Sequence, residues 1–128
     1  MAEISNYLEN ALINGTLRAT TFTAPTTIYV ALFTSDPTDA GTGTEVSGGS
    51  YARKSITFGA PSGGVTQSNA DVTFDTCTAS WGTVSFVGLY DALTGGNLLY
   101  HTALDIPKVI DTNDIFKINS GGLTVTLS

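Results

Sequence analysis

Apolar residues change their spacing once along this chain. Near the start, Ile4, Tyr7, Leu8, Ala11 and Leu12 recur at helical intervals, Ser5 offers an N-cap hydroxyl, and Gly15 suits the left-handed residue after a helix end. The spacing predicts one short amphipathic helix within an N-terminal segment, 1–15. A helix of that length does not hold in water by itself, so its apolar stripe must dock on the rest of the domain or on a neighbour.

Beyond it the pattern alternates, in short runs rich in β-branched and aromatic residues separated by Gly, Pro, Asn and Asp. Ile28 to Thr34 is apolar on both faces and reads as a central strand. Tyr51 to Phe58, Ala70 to Phe74 and Thr83 to Tyr90 follow, with Val72 and Phe74 inward. Asn97 to Asp105 comes after Gly95-Gly96, a hairpin signal. Ile115 to Asn119 and Leu123 to Leu127 flank Ser120-Gly121-Gly122, a second predicted hairpin. About seven short strands predict a mainly all-β fold, a β-sandwich resembling a jelly roll over 20–128, with one N-terminal helix. The whole chain, 1–128, reads as one domain, because half of 128 residues could not bury a self-sufficient core.

The loop 35–50, SDPTDAGTGTEVSGGS, is longer than most connections in a compact domain and carries Asp36, Asp39 and Glu45. Calcium ligation by these acids is the first chemical reading, but their spacing fits neither the alternating Asp pattern of a helix-loop-helix site nor the nine-residue glycine-aspartate repeat. Acids accepting backbone N–H bonds in turns explain them better. GTGTE lacks the Gly-Lys-Ser/Thr ending of a phosphate cradle. His101, the one imidazole, is in phase with Leu99 and out of phase with Leu98 and Tyr100, which predicts the more polar face of its strand. Cys77 has no neighbouring base and reads as a packed residue. Asp71 with Asp75, and Asp111 with Asp114, read as strand ends and turns. Asn14-Gly15-Thr16 reads as a helix-ending turn. Trp81 and Tyr90 read as core before interface. No catalytic residue, cofactor or metal is expected.

Charge narrows the partners. Five Lys+Arg against eleven Asp+Glu give a formal net charge of -6, and the five cations are scattered, so no direct contact with nucleic acid is expected. Only 12% of residues are charged, about half the usual share, with Thr, Ser and Gly supplying polarity. Such a surface is desolvated at modest cost, which suits burial against other subunits. One cysteine excludes an internal disulfide, and neither a secretion signal nor a membrane span is read.

Three stretches, YVALFTSDPTDAGTGTEVSGGSYARKSITF (Tyr29 to Phe58), GLYDALTGGNLLYHTAL (Gly88 to Leu104) and IFKINSGGLTVTL (Ile115 to Leu127), lie behind the helix NYLENALINGTL. Together they resemble small virion structural proteins of tailed bacteriophages, of the capsid cement or decoration and tail-fibre-like kinds. The resemblance implies a non-enzymatic subunit made in the host cytoplasm and carried on the capsid surface. There it would bind the major capsid protein and copies of itself, as a dimer or trimer, and stabilise the shell. The alternative it implies is a tail, neck or fibre-associated component. A sugar-binding sandwich using Trp81, Tyr51 or Tyr100 is a third reading. Expected contact residues are Asp36, Asp39, Thr42, Glu45, Tyr51 and Arg53 around the loop, with Tyr7 and Leu8 of the helix. On that reading, removing Thr38 to Ser47 spares the fold.

Overall fold

The structure is a computed structural model that describes residues 2–127. In chain order its elements are β1 Glu3–Ile4, α1 Asn6–Leu17, β2 Ile28–Phe33, β3 Lys54–Ile56, β4 Val65–Gln67, β5 Val72–Thr73, β6 Gly82–Tyr90, β7 Leu98–Ile110, β8 Lys117–Ile118 and β9 Thr124–Thr126. The all-β class with a single N-terminal helix is what the alternation predicts. Five strands form an antiparallel sheet in the order β1-β7-β6-β2-β3, and two short ladders, β4-β9 and β5-β8, complete the strand pairing.

Because successive side chains of a strand point to opposite faces, the apolar run of β2 serves two layers. Val30 and Leu32 join Val87 and Leu89 on one face, where Val72, Phe74, Phe116, Leu123 and Val125 close over them. Aromatic rings interlock there. Tyr51 stacks on Phe74 with centroids 6.2 Å apart, and Trp81 meets Tyr51 edge-on at 5.5 Å. Trp81 is thus core, as is Cys77. Ala31 and Phe33 point the other way and pack with Tyr90, Leu98 and Phe86.

Gly49 ties the loop end to the first layer. Its carbonyl accepts from Trp81 Nε1 at 2.9 Å and from the Thr78 amide at 3.0 Å. Its φ is +59°, and a Cβ there would lie 2.2 Å from the Ala79 carbonyl oxygen, so only glycine fits.

Three sequence expectations need correction. Residues 115–119 and 123–127 do not pair with each other: β8 pairs with β5 and β9 with β4. Residues 68–71 bond to the intervening turn, with Gly121 N donating to the Ser68 carbonyl and Ser120 N to Asp71, and this divides the two arms. The helix does not stop at Gly15 but runs to Leu17. Thr16 Oγ1 bonds the Leu12 carbonyl within the last turns, and the left-handed conformation falls to Ala19, at φ 55°. Finally, the strand expected to end at Asp105 continues to Ile110. Its register jumps from Phe86↔Ala103 to Val84↔Lys108, so Ser85 alone faces Leu104–Pro107. Pro107 has no N–H to give a ladder, and the strand bulges outward there.

Candidate interaction site

The second face of the sheet is covered by the loop 35–50 and the start of α1, and both are built in. Pro37 is fully buried, and the far end of the loop crosses to the first layer, where Val46 joins the core and its amide donates to the Leu32 carbonyl at 2.9 Å. A bridge between Phe33 and Glu45 continues the pairing along β2. Removing Thr38 to Ser47 would therefore strip sheet bonds and core area. The helix is anchored where the chain enters it. Ser5 Oγ donates to the Leu98 carbonyl at 2.5 Å and accepts from Leu8 N at 3.2 Å, while Ser5 N donates to the Leu99 carbonyl at 2.9 Å. Leu8 is buried by this docking onto its own subunit.

Glu45 is the centre of a polar strut. Arg53 grips its carboxylate with two parallel bonds, both 2.9 Å, and its remaining nitrogen donates to the carbonyls of Ala92 and Gly95 at 2.9 and 2.8 Å. The guanidinium carbon lies 3.8 Å from the centre of the Tyr90 ring. Tyr51 Oη donates to Glu45 at 2.6 Å and accepts from Leu32 N at 3.0 Å, standing in for a ladder partner where β3 has left β2. Burial pushes the Glu45 carboxyl up, but the hydrogen bonds from Arg53 and Tyr51 and the Arg53 charge outweigh it and hold it below its ordinary value. Burial and the Glu45 bond raise the Tyr51 phenol far above its ordinary value.

The structure thus divides the residues expected to make contacts. Arg53 and Leu8 are buried, and Glu45 and Tyr51 are half-buried with their polar atoms engaged inside the subunit. Asp36, Asp39, Thr42 and Tyr7 are exposed. Asp36 caps the Thr38 amide at 2.9 Å, the turn role expected of it, and Thr42 Oγ1 shares a 2.9 Å bond with Thr38 Oγ1.

His101 lies on the face opposite Tyr100 and Leu104, as the phase of its strand predicts, but it is buried there and shares that face with Leu98. The β6–β7 register slips between Leu89 and Tyr90, so Leu99 is an extra residue and His101 falls in line with Gly88 and Ala31 on the loop-covered face. It is 3% exposed, and its Nε2 lies 2.8 Å from Asp39 Oδ1 and 3.6 Å from Glu3 Oε2. Gly88 gives this layer room, because a Cβ there would meet Leu98 at 2.9 Å and Phe33 at 3.1 Å.

A further surface lies at the other end of β7 and was missed in the sequence. Ile106, Val109 and Ile115 are 69%, 60% and 55% exposed. Ile106 and Ile115 border a groove of about 520 Å³ floored in part by Leu104, Phe116 and Ile118, whereas Val109, next to the core residue Ile110, lies on the opposite face of the strand. The signal was Pro107, whose place inside a β-rich run marks a bulge.

Among protein families, the model described as Podophage GP4 fiber I protein gp80 matches residues 3–126. This chain belongs to that family. It is a small virion structural protein of tailed phages, tail-fibre-like. Among curated proteins, none matches it.

Proposed function

We propose that this fibre-family chain is a non-enzymatic building block of the tail fibre, joined to copies of itself through the ledge of Ile106 and Ile115. The observation that carries the reading is the family match over 3–126. It favours the tail or fibre-associated component over a capsid cement bound to the major capsid protein. The ledge supplies the contact chemistry: apolar residues that cluster along a groove, unlike singly scattered ones, mark an interaction site. Self-association of one such patch gives a closed symmetric assembly. The exposed Asp36, Asp39, Thr42 and Tyr7 form a second, polar contact at the opposite end of β7. His101 faces the carboxylates of Asp39 and Glu3, which join the loop and β1 to its strand.

Gold labelling and quantitative mass spectrometry of purified virions test the location. Label on the tail fibres at low copy number is the expected result, and label over the heads at a copy number near that of the major capsid protein would restore the cement reading. Sedimentation tests the ledge: the paired substitution Ile106→Ser and Ile115→Ser is expected to convert an oligomer to a folded monomer. A wild-type chain that sediments as a monomer at every concentration tried removes it.

A further inference from the structure

Glu3, Asp39 and His101 are remote in sequence, yet their ligand atoms lie within 4.8 Å of one another. Each is placed by a different device. Glu3 is the cross-strand partner of His101 in the β1–β7 ladder, and cross-strand partners share a face. Asp39 is brought over by the loop, whose position is fixed by the buried Pro37 and by the Asp39 carbonyl accepting from Asn6 N at 2.9 Å. His101 is held by its strand beneath both.

We propose that these three side chains form a binding site for one divalent transition-metal ion of the zinc type. Zinc bonds of about 2.0–2.1 Å at the tetrahedral angle set neighbouring ligand atoms about 3.3–3.4 Å apart. The observed separations from His101 Nε2, 2.8 Å to Asp39 and 3.6 Å to Glu3, straddle that spacing, so small side-chain shifts complete the geometry. The donor set fits in kind: one imidazole nitrogen selects for borderline ions over magnesium or calcium, and two carboxylates balance a double positive charge. On the other side of the ring, His101 Nδ1 lies 3.8 Å from Asp36 Oδ1. That distance is too long for a hydrogen bond, so Asp36 adds negative charge near the ring, and it would fix the tautomer of a metal-bound histidine only by closing in. Asp39 and Glu3 are 48% and 70% exposed at their side chains while His101 is 3%. The ion would therefore sit at the surface over a buried nitrogen, with its remaining position open to water.

Its effect would be mechanical, linking β1, the loop and β7 at the base of the helix. The competing account is a histidine held by carboxylates alone, with no ion. Titrating the full chain, stripped with a chelator, with zinc chloride in a calorimeter separates the two. The expected result is one ion per chain, a melting temperature that rises with zinc, and no competition from a large excess of magnesium. Glu3→Gln and Asp39→Asn, both at exposed positions, should each weaken binding at least tenfold while leaving the zinc-free melting temperature nearly unchanged. The His101 Nε2 resonance should move on adding zinc, a response that a purely structural histidine does not give. Absence of binding, a stoichiometry of several weak ions, or affinity unchanged in both variants overturns the proposal. Loss of folding on His101→Ala would not bear on these readouts, since the two carboxylate variants carry the test.

Discussion

The two faces of the central sheet are buried by different means. On one face, Val30, Leu32, Val87 and Leu89 meet an apolar and aromatic layer, and the stabilisation comes from area removed from water and from ring packing. On the other, the apolar cluster is small, Ala31, Phe33, Tyr90 and Leu98 with Phe86 at its margin. What holds its cover down is a set of charge-assisted bonds through Glu45 and Arg53 and the Ser5 anchor. Among the described residues, no buried side-chain nitrogen or oxygen lacks a partner. The first face tolerates small changes of shape at modest cost. The second is all-or-none, because removing one partner leaves the others desolvated and unpaired.

The largest effect is expected where the aromatic rings converge. Phe74 contacts Tyr51, Trp81 and Phe116, and it is 2% exposed. Phe74→Ala should cost about 4 kcal/mol, by lost transfer energy and by the cavity left among rings that cannot all collapse into it. Urea unfolding followed by Trp81 fluorescence measures this directly, since the indole is a neighbour of the hole. Phe74→Leu should recover more than half of the loss. A comparable loss in both variants would mean that ring geometry, not volume, governs this face.

The strut answers to different changes. Arg53→Ala should cost about 3 kcal/mol, the low end for breaking a buried pair because Glu45 keeps 26% of its side-chain surface in water. The double variant Arg53→Met with Glu45→Gln should recover part of it by removing the orphaned charge. The same network sets an acid response. The Glu45 carboxyl is held below its unfolded value near 4.5, so its contribution is complete above that value and disappears as pH falls through the lower folded value. Stability of the wild type should therefore decline below about pH 4.5, and more steeply than that of Glu45→Gln. Asp71, lowered by the Ser120 amide and Lys117, adds a slope of the same sign in both proteins and cancels in the comparison. Equal slopes would place the strut outside the folding equilibrium.

How much of this could be read in advance follows from where periodicity holds. Class, helix, central strand and the Gly95-Gly96 hairpin were legible, because alternation and turn residues act locally. The partners of β8 and β9 were not, since Ser68–Asp71 divides them from a distance, and neither was the pair of short strands at Glu3–Ile4 and Val65–Gln67. The polar face of His101 was legible, but its sharing that face with Leu98 was not, because a one-residue slip at Leu99 is invisible to a period of two. Glu45, Tyr51 and Arg53 were picked out as notable in an otherwise plain loop. Their distinctiveness comes from bonding one another, a use of charged and aromatic residues that sequence spacing does not separate from an outward-facing contact.

The smallest effect probes how the loop-covered face is joined to the helix. Ser5 does three things at once: its hydroxyl caps Leu8 N, the same hydroxyl bonds the Leu98 carbonyl, and its amide bonds Leu99. Ser5→Ala removes the first two and keeps the third. Loss of the cap alone costs about 1 kcal/mol, and the Leu98 carbonyl, left in a buried setting, adds a similar amount. The expected total, about 2 kcal/mol, should fall mainly on local opening of 3–17. Hydrogen exchange distinguishes this: the amides of Leu8 and Glu9 should lose protection while those of Val87 and Leu89 keep it. Uniform loss across both sets would show that the helix is part of one cooperative unit with the sheet, and that the two faces, though built differently, unfold together.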